Sequence, residues 1–135
     1  MSALKASGIL AAMNFSQADS GDGHLIEGYE RGRIVVDGRG YRESLVVSPE
    51  QIITGWGPAS AEELTEDHFA PLAELTPQVV VIGTGEHQIF PDPGLYFALL
   101  ERGIGVEIMD TGAACRTYNI LMAEGRQVAA GLIVD

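Results

Sequence analysis

Residues 104–135, IGVEIMDTGAACRTYNILMAEGRQVAAGLIVD, decide the reading of this chain. Ile104, Val106 and Ile108 recur at every second position, which is the period of a strand. Asp110 or Thr111 is placed to cap a helix that reaches about Glu124, and Gly125 stands where such a helix ends. Residues 128–134, VAAGLIV, carry no polar side chain and predict a further strand. Strand, sharp corner, helix and strand therefore follow one another within this stretch.

The same alternation extends upstream. Residues 78–82, QVVVI, are a β-branched run suited to a strand buried on both faces. Asp92 followed by Pro93 predicts a helix start, a cap and then Pro at the first helical position. Leu95, Leu99 and Arg102 share one face of that helix, Tyr96 and Leu100 another, and Gly103 fits a C-terminal cap. Strand, helix and strand in close succession predict a parallel βαβ unit with a right-handed crossover. Further upstream, Thr65 is placed as an N-cap, with Leu64 and Phe69 as a hydrophobic staple. Pro71 is expected to kink this helix or split it in two.

The front half has a different period. Residues 25–29 and 34–36 read as strands separated by a turn at Glu30, Arg31 and Gly32. Asp37-Gly38 between β-formers is a hairpin signal. Residues 41–47 read as a third strand that Ser48-Pro49 stops, and Ile52 and Ile53 begin a short fourth. Gly55-Trp56-Gly57-Pro58 ends it, so the front half is expected to be an antiparallel meander. Trp56 itself fits either a buried anchor, the reading favoured here, or a partner contact. Residues 1–23 have the composition of a flexible tail, and 24–135 are expected to form a single α/β domain.

Bulk composition excludes several functions. The net charge is −11, from 8 basic and 19 acidic residues, which argues against nucleic acid and against an anionic membrane surface. No apolar run approaches the ~20 residues that cross a bilayer, so no direct membrane insertion is expected. The start of the chain is a weak match to any targeting signal, and a cytoplasmic location is expected. One cysteine cannot form an internal disulfide.

The residues that could carry chemistry gather at two corners. Gly83, Thr84 and Gly85 follow the QVVVI strand, where open parallel sheets bind ligands. The third glycine of a dinucleotide fingerprint is missing, and so is the Lys-Ser/Thr pair of a nucleotide phosphate loop. Asp110, Thr111 and Gly112 form the second corner, where a helix N-terminus could hold an anion unless Asp110 caps it instead. Cys115 lies in the first turn or so of that helix, either an activated thiol or a small buried apolar residue. Arg116 could assist it, and His87 is the one histidine placed to pair with it. Arg116 and Asn119 could instead tie the corners together or face a partner. A metal site is not expected, because Glu86, His87, Asp92 and Glu107 match no ligand spacing. No cofactor is expected either.

The chain resembles a family of small α/β proteins that includes mitochondrial NADH:ubiquinone oxidoreductase (complex I) assembly factor 3 and uncharacterised bacterial and archaeal relatives. The resemblance rests on VIGTG at 81–85, GIGVEIMDTG at 103–112 and AACRTYNIL at 113–121, then EGR at 124–126 and VAA at 128–130. Weaker matches lie at 26–29, at 41–49 and around Trp56. It implies a three-layer fold: a central mixed five-stranded sheet whose last strand is antiparallel, helices on both sides and a small N-terminal β-meander. Met13 resembles a family start, so residues 1–12 would be an extension. The resemblance supplies no catalytic residues. It implies a partner-binding protein that is not an enzyme, with an assembly role at complex I or another membrane complex. The alternative is a small-molecule or anion-binding protein, or a weak enzyme, with its site between the two glycine corners near Cys115. A third reading makes those corners purely structural.

Overall fold

The computed structural model describes residues 23–135. The tail expected over 1–23 therefore lies, except for Gly23, outside the described residues, as does the extension over 1–12. The described chain carries eight strands and three α-helices. A three-stranded antiparallel sheet comes first: β1 (Ile26–Glu30), β2 (Arg33–Val36) and β3 (Arg39–Tyr41). The turn between β2 and β3 has Asp37 at φ 53° and Gly38 at φ 77°. Two consecutive left-handed residues give the twist that a tight hairpin needs, and this explains the Asp-Gly pair.

The strand expected over 41–47 is two strands in two sheets. β4 (Leu45–Val47) leaves the meander and joins the second sheet. Ser44 makes the break possible. Its buried hydroxyl donates to the Pro58 carbonyl at 2.5 Å and accepts the Val134 N–H at 2.9 Å, so it stands in for ladder bonds where the chain changes sheets. β5 (Ile52–Ile53) pairs back on β4.

The second sheet also contains β6 (Val79–Gly83), β7 (Gly105–Met109) and β8 (Val128–Leu132), in the order β5-β4-β8-β6-β7. β6 runs parallel to β7 and to β8, whereas β4 runs antiparallel to β8. The sheet is mixed and five-stranded, as expected. The last strand, however, is antiparallel on one side only, because a helical crossover returns it parallel to β6. β6 and β8 are buried along their whole length, which accounts for their unbroken apolar sequences.

Alternation along these strands feeds two cores. Val79 and Val81 face α3 (Thr111–Ala123) and the meander, and meet Cys115, Tyr118, Ile26 and Ile34. Val80 and Ile82 face the other side and meet Trp56, Phe69, Leu72 and Leu99. This second side is covered by α1 (Glu66–Glu74), α2 (Phe97–Glu101) and two 3₁₀ turns, Ala61–Glu63 and Pro93–Tyr96. α1 starts with a Thr65–His68 capping box, and Leu64 and Phe69 share its core. Pro71 lies inside α1 without splitting it. The cost of one missing N–H is met by burying Phe69, Leu72 and Ala73 on either side of it. Asp92 starts a 3₁₀ turn rather than a long helix: its Oδ1 accepts the Gly94 N–H at 2.9 Å, and α2 follows for five residues. Gly103 closes α2 with φ 79°.

Candidate functional site

β6 and β7 are parallel and in register from Val79↔Gly105 to Gly83↔Met109, so both glycine corners stand at the same end of the sheet. They are bonded to each other. The Thr84 N–H donates to the Met109 carbonyl at 2.8 Å. The Thr111 N–H donates to the Gly85 carbonyl at 2.8 Å, and the Gly85 N–H returns to the Thr111 hydroxyl at 2.8 Å. That hydroxyl donates in turn to the Ile133 carbonyl at 2.7 Å, and the Ile133 N–H donates to the Gly83 carbonyl at 3.0 Å. The Thr84 hydroxyl donates to the His87 carbonyl at 2.6 Å and accepts the Ile89 N–H at 3.1 Å, which folds the following loop back onto the corner.

Steric fit is equally close. A Cβ on Gly83 would stand 2.8 Å from the Thr111 Cα, and a Cβ on Gly112 would meet the Tyr29 ring at 3.4 Å. Gly85 has φ 102°, and a Cβ there would run into the carboxylate of Asp135. Asp135 also accepts the Glu86 N–H at 3.2 Å. At the start of α3, Asp110 Oδ1 accepts the Ala113 N–H at 2.9 Å. The helix terminus that could have held an anion is capped by the chain's own carboxylate. The Tyr29 phenol pKa is raised, by burial first and then by the Asp135 charge.

Cys115 is fully buried. Burial pushes its thiol pKa far above the ordinary range; the Arg116 charge pulls it partly back and Asp110 adds to the rise. The side chain of His87 is 82% exposed and lies near Glu86, and among the described residues no hydrogen bond joins it to Cys115. Arg116 is exposed. Asn119 grips β1 instead of the corners: its Oδ1 accepts the Ile26 N–H at 3.0 Å and its Nδ2 donates to the Ile26 carbonyl at 2.8 Å. Tyr118, fully buried on the same helix, donates to the His24 carbonyl at 2.6 Å. Both side chains clamp the meander onto α3, a role the spacing of a lone helix does not reveal. Trp56 is buried, as the favoured reading had it. No group of three His, Cys, Asp or Glu placed to hold a metal occurs among the described residues.

Burial of Cys115 and Tyr118 predicts a pH dependence. Both groups have raised pKa values in the native protein, so they stay protonated after the unfolded chain has begun to ionise. Stability is complete below the unfolded values and falls as pH rises above them. The loss approaches ~1.4 kcal/mol per pH unit for each group, starting near pH 9 for the thiol and near pH 10 for the phenol. Urea midpoints between pH 8 and 11 check this. In Cys115→Ala the decline should start about one unit later.

A mixed α/β sheet between two cores, a helix clamped to a β-meander and a glycine corner closed by internal bonds define a small α/β scaffold whose one cysteine is buried. The chain belongs to the family described as a protein of unknown function (DUF498/DUF598), which matches residues 26–133. A Bos taurus relative named NADH dehydrogenase [ubiquinone] 1 alpha subcomplex assembly factor 3 is 34% identical over 110 residues, 80% of this chain and 59% of the relative. The chain thus spans about three fifths of that relative's length. A Francisella tularensis relative named 13 kDa major membrane protein is 27% identical, over 78% of this chain and 86% of its own length. A Bordetella parapertussis protein of known crystal structure superposes with a TM-score of 0.79 at 37% identity, covering 84% of this chain and 97% of that one. The family resemblance carried by the glycine corners and α3 is thus the one the comparisons find.

Proposed function

We propose that this chain acts by binding protein partners, without catalysis, as an assembly factor for respiratory complex I or for another membrane complex. The observation that carries the reading is its similarity to assembly factor 3 over four fifths of the chain. The chemistry of the corner supports it. A buried thiol held protonated, a self-capped helix and loops bonded to each other favour a structural over a catalytic role for the corner. Among the described residues no helix is long and apolar enough to cross a membrane. The proposed location is the cytoplasm.

A tagged pull-down from the native organism, with cross-linking and mass spectrometry, tests the proposal. The expected result is reproducible capture of subunits of the NADH dehydrogenase complex or of another defined membrane assembly. Capture of nothing specific would overturn it and turn attention to metabolite binding at Gly83, Thr84, Gly85, Asp110, Thr111 and Gly112.

A further inference from the structure

Among the described residues, β7 is the outermost strand of the five-stranded sheet and pairs with β6 alone. Two bonds fix which of its residues face β6: the Gly105 N–H donates to the Gln78 carbonyl, and the Thr84 N–H donates to the Met109 carbonyl. Such residues alternate along a parallel ladder. Gly105, Glu107 and Met109 therefore turn their backbone groups inward, and Val106 and Ile108 turn theirs outward. Gln88 reaches over one of these outward groups, donating to the Ile108 carbonyl at 3.1 Å.

α2 packs against β7, and it and the loop before it leave large apolar side chains exposed among the described residues. Phe90 is 71% exposed, Phe97 57%, Leu100 45% and Ile89 37%. Phe97 and Leu100 are three residues apart on α2 and share a face. The opposite side of α2 packs, through Leu99, into the core that also holds Val106 and Ile108. Isolated exposed apolar side chains are ordinary, but four large ones within residues 89–100, next to an unpaired strand, mark an interaction surface. Its polar groups are mainly acidic: Asp92, Glu101 and Glu107 against Arg102 over residues 89–109.

We infer that β7 and the outer face of α2 receive an extended segment of a partner protein in which apolar and basic residues alternate. The segment adds a strand to the sheet, and its backbone bonds to Val106 and, displacing the exposed Gln88 side chain, to Ile108. Its side chains then project alternately to the two faces. Those on the α2 side meet Phe97 and Leu100. Those on the other side stand beside Glu107, whose side chain is exposed and turned away from the core beneath α2. A second copy of this chain brings the same acidic charge and no alternating basic strand, and its central register is also disfavoured. A two-fold pairing that sets Val106 opposite Ile108 also sets Glu107 opposite Glu107, and directly opposed like charges destabilise a pair.

This inference rests on the partner-binding reading and adds the surface and the chemistry of the partner. The test is titration of an eight-residue capped peptide of alternating valine and lysine into ¹⁵N-labelled protein. The expected result is saturable shifts confined to the amides of β7 and α2, with no such shifts from a valine–glutamate peptide. Glu107→Lys, and separately Phe97→Ser with Leu100→Ser, should each weaken binding at least tenfold, and all three positions are exposed, so the variants keep the fold. Shifts spread over other acidic surfaces, unchanged affinity in the variants, or a β7-to-β7 dimer of the free protein would each overturn the inference. If the pull-down captures a partner that the Phe97/Leu100 double variant retains in full, this surface is wrong and the partner-binding reading stands. An empty pull-down with peptide binding intact at β7 gives the reverse.

Discussion

Replacing Thr111 by Val is expected to destabilise the protein by about 3 kcal/mol. The shape hardly changes, so the loss comes from hydrogen bonds alone. The Thr111 hydroxyl is fully buried, accepts the Gly85 N–H at 2.8 Å and donates to the Ile133 carbonyl at 2.7 Å. Valine leaves one buried donor and one buried acceptor without a partner, at roughly 1–3 kcal/mol each. Thr111→Ser keeps the hydroxyl, and its loss should stay near 1 kcal/mol, from the missing methyl group. Urea unfolding at pH 7 with an unchanged slope measures both. A loss below 1 kcal/mol in Thr111→Val would show that water or movement satisfies the stranded groups. The corner would then be open enough to admit a ligand, and its structural interpretation would fall.

Much of this architecture was legible in the sequence because the signals are local. The β-branched run at 79–82, the Asp-Gly hairpin, the Thr65 cap and the glycines after α2 and α3 each report on a few neighbouring residues. What the sequence hid depends on distant partners. The break in the strand over 41–47 is set by Ser44 bonding to Pro58 and Val134, one of them 90 positions away. The orientation of the last strand depends on which neighbour it meets on each side, which no period encodes. At the corners, the sequence placed the glycines at one end of the sheet. It could not tell that Thr111 closes the gap between them, because a threonine after a cap is ordinary helix chemistry. Asn119 shows the limit most clearly: its amide fits a site as well as a clamp, and only the position of Ile26 decides. The exposed Phe97 and Leu100 carried a signal that helical periodicity could have used. Leu99, with Leu95 half-buried in the 3₁₀ turn before it, already supplies the face of α2 that meets the core, so further large apolar residues around it exceed what one core requires.

Trp56→Ala should cost about 4 kcal/mol, the largest effect of a single substitution expected here. The indole is 7% exposed and belongs to the core beneath α1 and α2. Its ring lies so close to β8 that a Cβ on Gly131 would stand 2.6 Å from Cη2; the strand needs a glycine there to make room for the indole. Its Nε1–H donates to the His68 carbonyl at 2.9 Å, and the His68 ring stands edge-on at 6.1 Å. His68 in turn holds the start of α1, where its Nδ1 accepts the Thr65 N–H at 3.0 Å. One side chain therefore joins the five-stranded sheet to the cap of the helix that covers it. The flanking glycines, with φ 70° at Gly55 and 121° at Gly57, let the backbone turn the ring inward. Trp56→Phe retains most of the apolar contact but loses the hydrogen bond to the His68 carbonyl, and a loss of about 1–2 kcal/mol is expected. Circular dichroism during denaturation follows both variants. Trp56 is the only tryptophan, so its emission gives an independent check on the unsubstituted protein: a blue-shifted maximum in the native state that moves to the red on unfolding. Gly131→Ala should move the native maximum towards the red by tilting the ring out of its slot. A Trp56→Ala loss under 2 kcal/mol, with native emission already red, would mean that the ring is exposed in solution and available to a partner.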